Sequence, residues 1–482
     1  MLFDSHALPS PPVPSDPSEA ARIRHTRQRR RMLDGAHRQD VVDRRLRLLG
    51  SVRSAAHGEV DLSANPFRVI NRERAVLYTT PPDVRHNDGE VSGLLGPDGA
   101  IEAGGLWQIM SRFQAWCLGC REYLIRVHVA DDGTPKFRPV APDMVIATPS
   151  EDDPSRPIAI REWRLRRHPE TNRPIWTVDV LDISDPDMPI YRVEEFRSDD
   201  RHPADLSELF LGGVFSGNAY PYRRKDGRAV LPFVLYHAEN LGDRLWDCYE
   251  ELELVEGSLN LAVLLSFFTH TMRDASWPQR YAVNAQVAGA SVSGTGDNRR
   301  SEVIADPATV LLLEPIEEGL QPQIGQWSTS DPATMIGAID SYAVRLAQDA
   351  GVPPSDLQRL GGTARSGYAI ALSDAGKRAQ QQRYRLQFKR SDEELIALVA
   401  QLLNSATGSN YPESGYSVVH RDIPLSPQEL RERRAHLLEI AAAGLISKTR
   451  AYMELNPGIS REQAERDLAI IAADRLININ NR

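Results

Sequence analysis

Two cysteines three positions apart are the residues best suited to metal or redox chemistry. Cys117 and Cys120 form a CxxC pair, which is half of a typical zinc site and the reactive motif of many dithiol enzymes. A zinc site needs a second ligand pair at suitable spacing, and His128 is the only close candidate. The pair stands beside the apolar residues Trp116 and Leu118. We therefore expect two packed cysteines rather than a metal or redox centre.

Two groups of acidic residues have a spacing that could chelate a metal ion. They are Glu250, Glu251 and Glu253, and Glu314, Glu317 and Glu318. Neither group has a His or Asp partner that repeats at ligand spacing, so we expect solvated helical or turn surfaces. The chain also lacks the Walker A, GxSxG, HExxH and post-strand GxGxxG patterns. We expect no catalytic residues, no metal and no cofactor, and hence no enzyme.

The composition is that of a globular protein. The chain has 482 residues, of which 41% are hydrophobic and 26% are charged, enough for roughly two to four domains and a substantial core. No stretch offers about 18 uninterrupted apolar residues, so we expect no membrane span. No signal peptide is visible. Three cysteines are an odd, low number, which fits a reducing interior.

Positive charge is unevenly distributed, although the net charge is −9. Ten arginines lie between Arg22 and Arg47, within a helix that the pattern predicts from Glu19 to Ala56. This segment could be a basic arm that contacts phosphates or an acidic partner, or a solvated amphipathic helix. The sequence leaves both interpretations open. A second basic stretch, from Lys377 to Arg390, contains no acid.

Alternating apolar residues predict a β-rich region between residues 122 and 236. The predicted strands are Glu122–Val129, Pro157–Arg167, Ile175–Ile183 and Tyr191–Arg197, with a buried strand from Leu231 to His237. The sequence Asp131-Asp132-Gly133-Thr134 predicts a hairpin turn. Long helical patterns follow this region, and the chain as a whole is therefore predicted to have an α+β fold.

Helical periodicity dominates the chain after this region. We expect a long helix from Gly242 to Arg273, apolar nearly all round after Gly257 and hence buried. A small α/β block at residues 274–330, with a strand at Val310–Leu313, separates it from a helix at Asp331–Ala350. A glycine-rich link leads to a helix that ends near Leu403. Residues 404–482 are expected to be all-helical, with capping serines Ser426, Ser447 and Ser460. Residues 1–59 are expected to be a basic, partly disordered segment.

The order of these elements resembles that of the portal proteins of tailed double-stranded DNA bacteriophages. In that family a β-rich wing comes first, one stem helix enters a small clip, and a second stem helix leaves it. A tunnel loop, a long wing helix and a helical crown follow. The segment Gly361-Gly362-Thr363-Ala364-Arg365-Ser366-Gly367-Tyr368-Ala369-Ile370-Ala371-Leu372 is similar to the family's tunnel loop and helix start. The segments 443–447 and 456–464 are similar to portal C-termini, so the resemblance covers roughly residues 60–475.

The resemblance implies a place for each segment. The wing would be residues 60–241, the stem 242–273 and 331–350, the clip 274–330, the tunnel loop 351–367, the long wing helix 368–403 and the crown 404–482. The implied stem residues are Leu259, Val263, Leu264, Phe267, Ile339 and Tyr342. The implied DNA-channel residues are Arg359, Gly361, Gly362, Arg365, Ser366 and Gly367. The implied clip contacts for terminase and adaptor are Asp297, Asn298, Arg299 and Arg300.

The function implied by the resemblance is a ring-shaped channel, a homo-oligomer of about a dozen copies at one capsid vertex. Double-stranded DNA would be packaged through it by the terminase large subunit and later ejected. A head-tail adaptor, the major capsid protein and the scaffolding protein would bind around it. The protein would assemble in the host cytoplasm and reside in the virion, without a membrane partner. The alternative is a non-portal nucleic-acid-binding protein or enzyme that uses the basic helix Lys377–Arg390.

One physical argument from the residues supports a ring. The stem stretch Leu259–Phe268 is too apolar to stand in water, and neighbouring copies in a closed ring would cover it.

Overall fold

The fold is described from a computed structural model of the chain. The structure describes residues 16–49, 60–86, 91–167, 171–172, 174–197, 210–214, 220–247, 253–276, 280–283, 285–287, 313–315, 323–326, 331–352, 367–423, 427–456 and 459–480. Within them it mixes helices with antiparallel sheet, which is compatible with an α+β fold. None of the helices in these ranges is long and apolar enough to cross a membrane.

Twelve helices and fourteen strands are found in the described ranges. The helices are α1 Pro17–Asp34, α2 Arg38–Leu49, α3 Pro66–Arg74, α4 Ser92–Leu95, α5 Ala100–Ala103, α6 Leu106–Cys120, α7 Glu253–Ser276, α8 Pro332–Asp349, α9 Gly367–Thr407, α10 Pro427–Ala442, α11 Lys448–Leu455 and α12 Arg461–Asn480. The strands are β1 Asp83–His86, β2 Glu122–Val129, β3 Pro135–Val140, β4 Val145–Pro149, β5 Pro157–Arg167, β6 Pro174–Asp182, β7 Ile190–Arg197, β8 Phe210–Val214, β9 Phe233–His237, β10 Arg280–Val283, β11 Ala285–Val287, β12 Leu313–Pro315, β13 Gln323–Gln326 and β14 Tyr416–Val419.

The N-terminal basic segment contains two helices rather than the one predicted from Glu19 to Ala56. The side chain of Asp16 accepts a hydrogen bond from the Glu19 amide and so begins α1. Gly35 ends it in the left-handed conformation, with φ of 80°, which glycine adopts without steric cost. The prediction of a single helix was therefore wrong, because the helical pattern of the sequence continues across Gly35, where α1 ends.

Several arginines of this segment pack into the protein, whereas Arg24, Arg38 and Arg47 are exposed. Arg22 is buried and donates hydrogen bonds to the carbonyls of Pro142 and Val145. Arg30 lies 2.8 Å from the buried Asp143, and Arg31 forms an ion pair with Asp40. Neither a free basic arm nor a solvated amphipathic helix describes this arrangement, so both interpretations left open by the sequence need correction for these residues.

The β-rich region forms two antiparallel sheets. One sheet has three strands in the order β3-β2-β9, and the other has five in the order β4-β5-β6-β7-β8. The predicted strands β2, β5, β6 and β7 are confirmed to within one residue at each end. Gly133 has φ of 80° in the turn between β2 and β3, which confirms the predicted hairpin. A buried salt bridge joins the sheets, because Arg126 of β2 lies 2.6 Å from Glu162 and 2.7 Å from Asp179.

The helices α7 and α8 run antiparallel to each other. Gly257 of α7 lies against Leu346 of α8, and the side-chain amide of Asn260 donates a hydrogen bond of 3.3 Å to the hydroxyl of Tyr342. The contacting residue numbers therefore rise along α7 and fall along α8. The predicted helix Asp331–Ala350 is confirmed, with Asp331 as its N-cap. The predicted start of α7 at Gly242 was wrong, because Gly242 has φ of 64° and residues 242–246 form turns and bends.

Two small strand ladders lie between α7 and α8 in the sequence. Strand β10 pairs with β13, and β11 pairs with β12, both antiparallel. The inner pair is thus nested within the outer pair. Leu313 begins β12, and the rest of the strand predicted at Val310–Leu313 lies outside the described residues.

The 41-residue helix α9 is the longest element. Its buried side chains Tyr384, Phe388, Leu395 and Ile396 pack in the main core with β2 and β9. Strand β14 follows it and pairs with β1, more than 300 residues earlier in the chain. The prediction that residues 404–482 are all-helical was therefore wrong for 416–419.

Three further helices complete the described chain. The side chains of Ser447 and Ser460 accept hydrogen bonds from the amides of Arg450 and Gln463, which confirms both predicted caps. The predicted cap Ser426 lies outside the described residues. Helix α12 continues to Asn480.

Candidate functional site

The predicted stem residues and Gly367 lie within the described ranges, whereas most of the predicted channel residues and all four clip residues do not. Gly367 is the first residue of α9, and Gly351, with φ of 70°, follows α8. Five predicted channel residues, Arg359, Gly361, Gly362, Arg365 and Ser366, lie outside the described residues. The four predicted clip contacts, Asp297, Asn298, Arg299 and Arg300, also lie outside them. The geometry of the candidate site is therefore that of the two stem helices and of α9.

Leu259 and Val263 belong to the main core, Phe267 packs against that core, and Tyr342 contacts Asn260 of α7. Leu259, Val263 and Ile339 are buried. Leu264, Phe267 and Tyr342 are half-buried. The described part of the stem is therefore a packed helix pair, in which the absence of a side chain at Gly257 lets Leu346 approach the α7 backbone.

Part of α7 is covered by the same chain. Arg44 of α2 donates a hydrogen bond of 2.7 Å to Asn260, and the guanidinium of Arg45 lies over the ring of Phe267. The amide of Asp61 donates to the hydroxyl of Ser266 at 2.9 Å. The N-terminal segment therefore supplies neighbours for α7 within one chain, while Leu264 and Phe267 remain half-buried.

The basic stretch of α9 is paired with acids of other elements. Lys377 lies 3.6 Å from Glu73, and Arg383 lies 2.6 Å from Glu239. Arg385 pairs with Asp422, and Lys389 lies 3.7 Å from Glu393 of the same helix. These acids neutralise much of the charge that a phosphate backbone would need. The pairing counts against the alternative function, in which this helix binds nucleic acid.

A cleft of about 800 Å³ opens beside α7 and α8. Arginines and acids both line it, and some of them are paired. Arg121 lies 3.6 Å from Glu239, and Arg383 lies 2.6 Å from the same carboxylate. A cleft with both signs of charge does not select for phosphate or any other anion.

A buried carboxyl connects β2 to the segment between β9 and α7. Glu122, the first residue of β2, is fully buried and accepts a hydrogen bond of 2.9 Å from the amide of Asp247. Burial raises the pKa of the Glu122 carboxyl to about 8. His237 lies 3.9 Å away, and burial lowers the pKa of its imidazole to about 4. Neutral forms of both groups are therefore favoured at neutral pH.

A second buried carboxyl holds α9 against the sheets. Asp392 accepts hydrogen bonds from the hydroxyls of Tyr78 and Tyr236, at 2.8 Å and 2.9 Å. The ring of His420 lies 3.0 Å from the same carboxyl. The sequence offered no signal for this cluster, since its members come from four separate parts of the chain.

The cysteine pair is packed, as the sequence predicted. Cys117 and Cys120 are both fully buried, and both are free. The Cys117 thiol donates to the carbonyl of Tyr236 at 3.6 Å. Burial raises the pKa of both thiols, which disfavours the thiolate that metal binding and redox chemistry require. Within the ranges that the structure describes, no group of three His, Cys, Asp or Glu residues is placed to hold a metal ion.

No family model matches the chain, and no curated protein matches it. Its function must therefore be argued from the order and packing of its own elements.

Proposed function

We propose that the chain is a phage portal protein, the subunit of a ring-shaped DNA channel at one capsid vertex. The observation that carries the proposal is the arrangement around the stem. An antiparallel pair of helices, α7 and α8, brackets nested strand ladders in the sequence, after a β-rich region and before a 41-residue helix. The resemblance noted above has the same order of wing, stem, clip, stem and wing helix.

The packing of α9 supports the mechanical role that the proposal requires. A channel subunit must transmit load between the DNA and the capsid without unfolding. Helix α9 is held between Tyr384 and Leu403 by apolar packing in the main core and by the hydrogen bonds to Asp392. The wing sheets are joined by the buried Arg126 salt bridge.

The charge of the protein is also compatible with sliding DNA. Each contact between a basic side chain and a phosphate adds affinity by releasing counterions. The net charge of −9 and the internal pairing of the α9 arginines limit such contacts. By this proposal the terminase large subunit supplies the packaging energy, and the purified chain alone hydrolyses no ATP.

Electron microscopy of the purified protein tests the proposal directly. We expect rings of about a dozen copies with a central channel, and a mass by light scattering to match. A species of one or two copies at all concentrations contradicts the proposal. Sequence-selective, tight binding to DNA by such a small species would favour the nucleic-acid-binding alternative instead.

A loop variant tests the DNA-channel residues. Replacing Gly361 and Gly362 together by Pro should leave rings intact but reduce the DNA packaged into particles, since glycine reaches backbone angles that proline cannot. Arg365→Glu should have a milder effect that weakens with added salt. Loss of rings with the Pro pair would assign these residues to a structural turn rather than to the channel.

A further inference from the structure

A small pocket lies where three separate parts of the chain meet. It has a volume of about 60 Å³ and is lined by the turn between β4 and β5, by β9 with the segment that follows it, and by α9. Each part contributes one exposed arginine to the lining, and these are Arg156, Arg244 and Arg390. We call it the arginine pocket. Since one water needs about 10–15 Å³, the pocket suits a group no larger than a small oxyanion.

The positive charge of the arginine pocket is only weakly paired. Within the ranges that the structure describes, Arg244 and Arg390 form no ion pair. Arg156 lies 3.3 Å from Asp153 and 3.9 Å from Glu394. All three of these side chains are about half exposed, and exposed pairs contribute little. Glu394 is the one acid among the described lining residues, so the pocket has an excess of positive charge that attracts anions.

Other polar side chains of the lining can donate hydrogen bonds. The Oδ1 atom of Asn240 accepts from the amide of Gly242 at 3.0 Å, which leaves its Nδ2 as a donor. Gln387 adds a second side-chain amide. His237 also lines the pocket, and burial and the charge of Arg390 lower the pKa of its imidazole to about 4, so the ring is neutral at pH 7. Arginine, asparagine and glutamine are side chains that bind phosphate oxygens.

The backbone that carries the three arginines is anchored. The amide of Ser150 donates to the carbonyl of Arg156 at 2.8 Å and closes the turn between β4 and β5. The amide of Asp247, three residues after Arg244, is held by the hydrogen bond to the buried carboxyl of β2. Arg390 lies in α9 directly before two buried residues. A ligand would therefore order only side chains, which keeps the entropic cost of binding low.

We infer that the arginine pocket binds a phosphate group through Arg156, Arg244 and Arg390. Guanidinium groups bind phosphate with paired, charge-assisted hydrogen bonds, which a lysine cannot reproduce. Free inorganic phosphate and the backbone of a nucleic acid offer the same oxygens, and the experiment separates these two sources. The inference does not depend on the proposed function, because it rests on this pocket alone.

Calorimetric titration of the full-length protein with inorganic phosphate tests the site. The buffer is phosphate-free at pH 7, and chloride keeps the ionic strength constant. We expect saturable binding with a Kd of about 1 mM or tighter. Arg244→Gln and Arg390→Gln each remove one guanidinium from an exposed position and should weaken binding by at least about tenfold. The matched control is Arg461→Gln on α12, where the side chain is 80% exposed and does not line the pocket. Circular dichroism checks that each variant is folded.

A variant of opposite sign excludes a general loss of structure as the cause. Glu394→Gln removes the one acid of the described lining and its contact with Arg156. Less repulsion of the anion should make phosphate bind about threefold more tightly. A purely structural role of these residues predicts no gain in affinity.

A second titration, with a duplex DNA of about 20 base pairs, identifies the source of the phosphate. Binding of inorganic phosphate that both arginine variants weaken supports a site for the free ion. Binding of the duplex alone, weakened by both variants, supports a site for a backbone phosphate. No binding of either probe, or binding that the arginine variants leave unchanged or that the control weakens equally, overturns the inference. The ring observed by electron microscopy decides the portal proposal separately from all of these outcomes.

Discussion

Replacing Glu122 by Gln should change how the stability of the protein depends on pH. Glu122 is fully buried, and the pKa of its carboxyl rises from an ordinary 4.5 to about 8, first because of desolvation. Between these values the folded chain keeps a proton that the unfolded chain releases. The free energy of unfolding therefore falls as pH rises through this window, and the loss is complete above about pH 8.

The magnitude follows from the size of the shift. A difference of about 3.5 pH units, at about 1.4 kcal/mol per unit, corresponds to about 5 kcal/mol above pH 8. Gln keeps an oxygen that can accept from the Asp247 amide, and it does not ionise. The difference in unfolding free energy between Glu122→Gln and the wild type should thus grow by about 2 kcal/mol from pH 6 to pH 8, where the folded carboxyl is half ionised. The titration of His237 is common to both proteins and cancels in this difference.

Urea denaturation at pH 6, 7 and 8, followed by circular dichroism, measures this difference. The matched control is Glu102→Gln, the same change at an exposed helical position, which accounts for the loss of one surface charge. Parallel pH profiles of Glu122→Gln and the wild type would refute the reasoning. They would mean that water or a cation reaches the carboxyl in the folded protein.

Two further pairs of variants test the packing. Tyr236→Phe removes the hydroxyl that donates to Asp392 and should cost about 2 kcal/mol. Tyr220→Phe removes a hydrogen bond to a backbone carbonyl and should cost about 1 kcal/mol of stability. Equal losses of stability would mean that a hydrogen bond to Asp392 contributes no more than one to a neutral carbonyl. In the stem, Gly257→Ala should destabilise by about 1–3 kcal/mol because its Cβ would collide with Leu346. The added Cβ of Gly337→Ala would meet open space, so this substitution should stabilise the protein by up to about 1 kcal/mol. Thermal unfolding of both variants shows which substitution stabilises the protein and which destabilises it.

The elements that the sequence predicted well are those with local signals. Strand β2 has the apolar residues Tyr123, Ile125 and Val127 at alternate positions, and this period-two pattern can be recognised without knowing the partner strand. Asp331 and Ser460 are caps whose partners lie two or three residues away. Such signals depend on a few neighbouring residues, so they can be recognised without knowledge of the fold.

The failures have a common physical cause, because each depends on contacts far apart in the chain. The helical pattern from Gly242 broke down where residues 242–246 turn to reach Glu122. Strand β14 is short, and its ladder exists only because β1 lies beside it. The buried role of Arg22 depends on carbonyls more than 100 residues away, and nothing near Arg22 indicates them.

The buried polar groups indicate which elements of this protein are held rigidly together. Arg126 and Asp392 are buried polar groups with several partners each, and losing any one partner would leave another group unpaired at a cost. They lie at the junctions between the two sheets and between the sheets and α9. Because the partners of both groups come from different elements, the relative positions of the two sheets and α9 are fixed by contacts within one chain.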